Sequence, residues 1–96
     1  MIYHITTSQD WESQKDKPDF LPADYHKEGF IHCCTSEQLA GVMERYFKGK
    51  TGLALLHLDE SKLKAELKFE ASTNDEEFPH LYGAINREAI IAVKYI

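Results

Sequence analysis

The chain has 96 residues and a formal charge of −5, from sixteen acidic against eleven basic side chains, and is 43% hydrophobic and 28% charged. That composition suits one globular domain over residues 1–96 and excludes a disordered or fibrous chain. No apolar run reaches the ~18 to 20 residues of a membrane span, no basic stripe offers a footprint for long nucleic acid, and the first residues lack the pattern of a signal peptide; the expectation is a cytoplasmic protein that acts on neither membranes nor long nucleic acid.

Ile2 to Thr6 alternates, with Ile2, His4 and Thr6 on one face and Tyr3 and Ile5 on the other, which predicts a first strand. Thr7 or Ser8 can cap a brief helix carrying Trp11. Residues 17–28 hold two prolines and no period, and read as a loop. From Gly29 to Thr35 runs an apolar strand with His32 embedded between Phe30, Ile31, Cys33 and Cys34. Thr35 and Gln38 then spell a capping box for a helix over 36–48 that ends at Gly49. Leu39, Val42, Met43 and Tyr46 form its apolar stripe, opposite Glu37, Glu44 and Lys48, and are expected to be buried.

Leu53 to Leu58 is a continuous apolar run suited to a central strand. Asp59 can cap a turn through Leu63, after which Leu67 and Phe69 alternate with Glu66, Lys68 and Glu70 as on a half-buried strand. Residues 72–77 form a polar, acidic excursion, Phe78 to Gly83 reads as a turn, and Asn86 opens a helical turn before a last strand over 90–96. Five to six strands with one main helix make the expected class α+β.

Three of the five histidines stand where a solvated ring has no reason to be: His4 in the first strand, His32 in the apolar strand, and His80 beside Pro79. Each could be a core ring satisfied by one carbonyl, or part of a site. His26 reads as solvated and His57 as a core histidine. A metal-dependent hydrolase would need a zinc set from His32, Cys34 and His4 or His80, without the usual paired ligand spacings. Cys33 and Cys34 are adjacent, point to opposite faces of a strand and read as free thiols. Cys34 precedes a helix N-terminus, which favours a thiolate nucleophile; packing as a small hydrophobe is the alternative.

Tyr3-His4-Ile5, Gly29-Phe30-Ile31-His32-Cys33 and Phe78-Pro79-His80-Leu81-Tyr82-Gly83, in this order, resemble the domain-of-unknown-function family nine-five-two. That family is similar to the ADP-ribosyltransferase superfamily, which implies a split antiparallel β core around a cleft for NAD or an ADP-ribose derivative. By this resemblance His4 would orient a ribose hydroxyl and His32 would stack on or polarise the leaving group, as in the two-histidine branch of RNA 2′-phosphotransferases, with Phe30 standing where that branch has another histidine. His80 and Tyr82 would close the cleft, His4, His32 and His80 forming the catalytic set, and Arg45 would contact phosphate. The glutamate of protein-modifying members has no clear counterpart; Glu70 and Glu88 are candidates. The resemblance therefore implies a ribosyl or phospho transferase using NAD, or a nucleotide-binding module without turnover.

Overall fold

The computed structural model describes residues 1–72 and 75–96, so part of the polar excursion, at 73 and 74, lies outside the described residues. In chain order the elements are β1 (Ile2–Thr7), α1 (Ser8–Ser13), β2 (Asp19–Phe20), α2 (Tyr25–Glu28), β3 (Ile31–His32), β4 (Cys34–Thr35) and α3 (Ser36–Tyr46). They continue with β5 (Leu53–Leu58), β6 (Glu66–Ala71), β7 (Glu77–Tyr82), β8 (Ile85–Asn86) and β9 (Ile90–Tyr95), with 3₁₀ turns at Glu60–Lys62 and Arg87–Ala89. Every strand pairing is antiparallel. The order β4-β1-β5-β9 makes one sheet, β3-β7-β6 a second, and β2-β8 a two-stranded ribbon, an α+β arrangement.

The sheets part at one short stretch of chain. Ile31 and His32 pair with Leu81 and His80 of β7, whereas Cys34 and Thr35 pair with Tyr3 and Ile2 of β1, so the expected single strand is broken at Cys33 and shared between two sheets. Pro79 stands at this break. Its carbonyl accepts from Cys33 N–H at 3.0 Å, and since both main-chain groups of an antiparallel residue face one side, its missing N–H falls where pairing stops. Phe78-Pro79-His80 is therefore central-strand sequence rather than the expected turn. The turn comes next, at Gly83 (φ +150°), where a Cβ would stand 2.7 Å from the Cβ of Ala65.

β5 is the buried central strand its apolar run predicts; Ala54, Leu56 and Leu58 share a face with Ile2, His4 and Thr6 of β1. Against that face pack Trp11, Phe20, Ile31, Leu81 and Ile85. The segment expected to be a loop supplies two elements instead: β2, which buries Phe20 completely, and α2, closed by Gly29 at φ +83°. Phe20 anchors the stretch because one large apolar ring outweighs the absence of periodicity around it. Phe69, expected on a half-buried face, is 48% exposed on edge strand β6.

α3 begins where the capping box places it, Gln38 accepting from Thr35 N–H at 3.0 Å. Its stripe is not sealed: Leu39, Val42 and Met43 are half-buried and Tyr46 is 48% exposed, because the helix lies along the margin of a cleft. Val42→Asp is thus expected to cost about 1 to 2 kcal/mol and leave a folded protein, since the new carboxylate keeps access to water. A melting curve showing complete unfolding at room temperature would mean the helix is packed more tightly than this. His57, expected in the core, is half-buried and meets the Tyr3 ring edge-on at 5.0 Å.

Candidate functional site

Beyond Tyr3 the outer edge of β1 carries no strand among the described residues, and a cleft of about 560 Å³ opens there. That is within the ~300 to 1,000 Å³ of small-molecule sites. One wall is β1 itself with Val42, Tyr46 and Phe47; the other is the chain from Pro22 to Cys34. Gln14 holds that second wall with both ends of its amide, donating to Leu21 carbonyl at 2.7 Å and accepting from Leu21 N–H at 3.0 Å. Asp10 completes the latch by accepting from Ala23 N–H and from Gln14 Nε2, both at 3.0 Å, and from the Thr6 hydroxyl at 3.5 Å.

His4 crosses the split. Its side chain leaves the β1 face that meets the core, and Nδ1–H donates to the His32 carbonyl at 2.7 Å. With Phe20 6.2 Å away, centroid to centroid, and only 8% of the residue exposed, the ring is desolvated, which outweighs the favourable bond to the carbonyl and lowers its pKa to about 4. It is neutral at physiological pH. The Nδ1 bond sets the tautomer, so Nε2 is an acceptor, buried and without a partner among the described residues.

His32 lies in the same cleft wall but presents an exposed ring, its Nε2 3.8 Å from Glu28 Oε2. On that outer face of the second sheet Phe30 meets the His32 ring edge-on at 4.7 Å and stacks on His80 at 4.1 Å with 22° between planes. His80 is buried, its Nδ1–H donating to Glu70 Oε1 at 2.9 Å, and its Nε2 also lacks a partner among the described residues. Tyr82 donates to the same Glu70 oxygen. These bonds, Tyr82 first and His80 second, hold the Glu70 carboxyl below the usual range and raise the Tyr82 phenol.

The three expected histidines thus touch in series, His4 to the His32 carbonyl and the His32 ring to His80, without converging on one cleft. His4 and His32 reach one cleft, whereas His80 and Tyr82 sit beside it on β7, joined to Glu70 and meeting the rings of Phe30 and, for His80, of His32. Arg45 lies outside the cleft walls, on α3, with a guanidinium nitrogen 4.0 Å from Glu76. Glu88 turns to Asn86, away from any of these groups. Both cysteines are buried free thiols; burial pushes Cys33 up and Cys34 up to about 11, which removes the thiolate that proximity to a helix start suggested. Among the described residues no group of three His, Cys, Asp or Glu side chains could hold a metal ion.

Sequence reasoning missed the second wall: Asp24, Tyr25 and Glu28 flank the cleft on the segment read as a loop, and no periodicity marks them. Asp10 and Gln14 carried a readable signal, an i, i+4 spacing on one face of α1 and its C-cap, but nothing in that spacing names their main-chain partners.

A split pair of antiparallel sheets with a cleft at the parting defines the structural class. The chain belongs to the family described as protein of unknown function (DUF952), whose model matches residues 5–93. It is similar to the crystal structure of protein CC0527 from Caulobacter crescentus, at 30% identity and TM-score 0.86 over 98% of this chain and 83% of that one. The solution structure of CC0527 gives 30% identity and TM-score 0.83 over 99% of this chain and 83% of that one. No curated protein matches the chain. Among the described residues no helix is long and apolar enough to cross a membrane.

Proposed function

We propose that the cleft binds a ribosylated ligand, NAD or an ADP-ribose derivative, as the ADP-ribosyltransferase-like resemblance implies, and that His4 is the residue that orients it. What carries this reading is the state of His4: a neutral ring locked by the His32 carbonyl, with a buried acceptor nitrogen and no partner for it among the described residues. An unmade hydrogen bond of this kind costs about 1 to 3 kcal/mol, which a ribose hydroxyl would recover. His32, with its exposed ring in the cleft wall, would stack against the ring attached to the sugar. His80, Glu70 and Tyr82 would support Phe30 and His32 from behind. Arg45 would reach a phosphate only from outside the cleft.

Calorimetric titration with NAD and ADP-ribose tests the reading. His4→Ala should weaken binding about tenfold or more, the equivalent of ~1.4 kcal/mol, with His57→Ala as the control that leaves it unchanged. Wild-type protein that binds neither ligand would reject it. Asp10 is committed to Gln14, Ala23 and Thr6, so Asp24 and Glu28 would be the cleft carboxylates to face the positive charge that develops on a ribose losing nicotinamide, and release of nicotinamide from NAD separates a transferase from a module that binds without turnover. Saturable binding with no release of nicotinamide from NAD is the outcome that module predicts.

A further inference from the structure

β1 is paired along its whole length on one side and over only two residues on the other. Leu53 exchanges both main-chain bonds with Ile96, its N–H donating at 3.1 Å and its carbonyl accepting at 2.9 Å, so on β5 the main-chain groups of Leu53 and Leu55 face β9 and those of Ala54 and Leu56 face β1. Opposite Ala54 and Leu56 stand Thr6 and His4, which leaves the N–H and carbonyl of Tyr3, Ile5 and Thr7 on the outer side of β1. Tyr3 meets Cys34 of β4 there, and β4 goes no further. The N–H and carbonyl of Ile5 and the N–H of Thr7 have no partner among the described residues, and both residues line the cleft, Ile5 half-buried and Thr7 exposed.

A donor and an acceptor on Ile5 and another donor on Thr7, about 7 Å further along an extended chain, repeat with the period that the main chain of an added strand satisfies. Free edges of this kind are usually guarded by lysine or proline, and residues 4–7 of β1 contain neither. Recessed in a cleft of about 560 Å³, the edge has room for one extended chain rather than for the rim of a second folded sheet. The walls select its side chains, which point alternately to opposite sides. Val42 and Phe47 offer apolar contact, Asp24 and Glu28 are exposed acids, and no lysine or arginine lines the cleft. Together with the overall charge of −5, these walls complement a strand that alternates apolar with basic residues.

We infer that the free edge of β1 takes an extended peptide of alternating apolar and basic residues as an added strand. This goes beyond the ribosyl-site reading, which stands on the rings of His4 and His32, whereas the strand stands on main-chain groups of Ile5 and Thr7; the two ligands would exclude one another from the cleft. The probe is acetylated, amidated Lys-Val-Lys-Val-Lys-Val, titrated calorimetrically into the protein beside Glu-Val-Glu-Val-Glu-Val and beside two forms of the first peptide, N-methylated at every lysine or at every valine. The basic peptide should bind saturably and about tenfold or more tightly than the acidic one. One methylated form, whose blocked N–H groups face β1, should lose about tenfold or more, and the other should keep its affinity. Ile5→Pro removes one edge donor at a position where proline fits a strand, and should show the same loss while still folding. The methylated pair makes the test independent of that variant. No saturable binding, equal binding of the acidic peptide, or equal affinity of the two methylated forms overturns the added strand. So does a dimer in sedimentation that Ile5→Pro abolishes, which would give the edge to a second copy of the chain. These titrations contain no nucleotide, so their failure leaves the ribosyl site standing, and failure of NAD and ADP-ribose to bind leaves the added strand standing.

Discussion

Phe20→Ala is expected to lower the unfolding free energy by about 3 to 5 kcal/mol, a large part of the ~5 to 15 kcal/mol that a small domain possesses. Phe20 is 0% exposed, meets Trp11 edge-on at 5.4 Å and lies 6.2 Å from the His4 ring. It is also half of β2, so its loss removes the anchor that returns the 14–28 segment to β8. The cavity would open beside His4 and admit water to the ring, relieving the desolvation that depresses its pKa. Urea titration of the variant should show a lower midpoint, and its stability should depend less on pH below 6.5. A loss smaller than 1 kcal/mol would mean that the segment is held by Gln14 and Asp10 alone.

The second large effect is a dependence on pH that belongs to His4. Its pKa is about 4 in the folded protein and near 6.5 unfolded, so between those values the unfolded chain binds a proton that the native one refuses. Stability from this group is complete above about pH 6.5 and falls as the pH is lowered toward 4, by roughly 3 kcal/mol in all and about 2 kcal/mol by pH 5. His4→Asn retains an N–H for the His32 carbonyl and has nothing to titrate. Comparing urea midpoints of wild type and variant at pH 7 and pH 5 isolates the contribution, because the carboxylates with lowered pKa values, such as Glu70, lose their share only at more acid pH. Equal pH dependence in the two proteins would show that the ring is solvated in the native state, and the unpartnered acceptor would go with it.

Local sequence determined the elements whose signals are self-contained. The alternation of Ile2 to Thr6, the Thr35–Gln38 box, the apolar run at Leu53 to Leu58 and the Asp59 cap each involve residues a few positions apart, where strand pleat, helical turn and capping distances leave one geometry. His4 was legible as a residue of interest in the same way, since a histidine inside an apolar strand must find a partner or serve a ligand, whereas His32, expected to be embedded, presents an exposed ring.

Tertiary structure alone decided the rest, for reasons that pairing makes plain. Phe78-Pro79-His80 reads as a turn until Cys33 is seen opposite Pro79 at the parting of the sheets, where no N–H is required. Strand register, which local periodicity does not encode, brought Glu70 to His80 and Tyr82 and left His80 behind Phe30 rather than in the cleft. Residues 17–28 have no period because Phe20 is held by one buried ring and the remainder by Gln14 and Asp10, contacts between side chains and distant main chain that a local pattern cannot announce. The helix stripe was legible as apolar, but how much of it would be covered depended on the free edge of β1, and that edge exists only because the chain from Ile31 to Thr35 divides itself between two sheets.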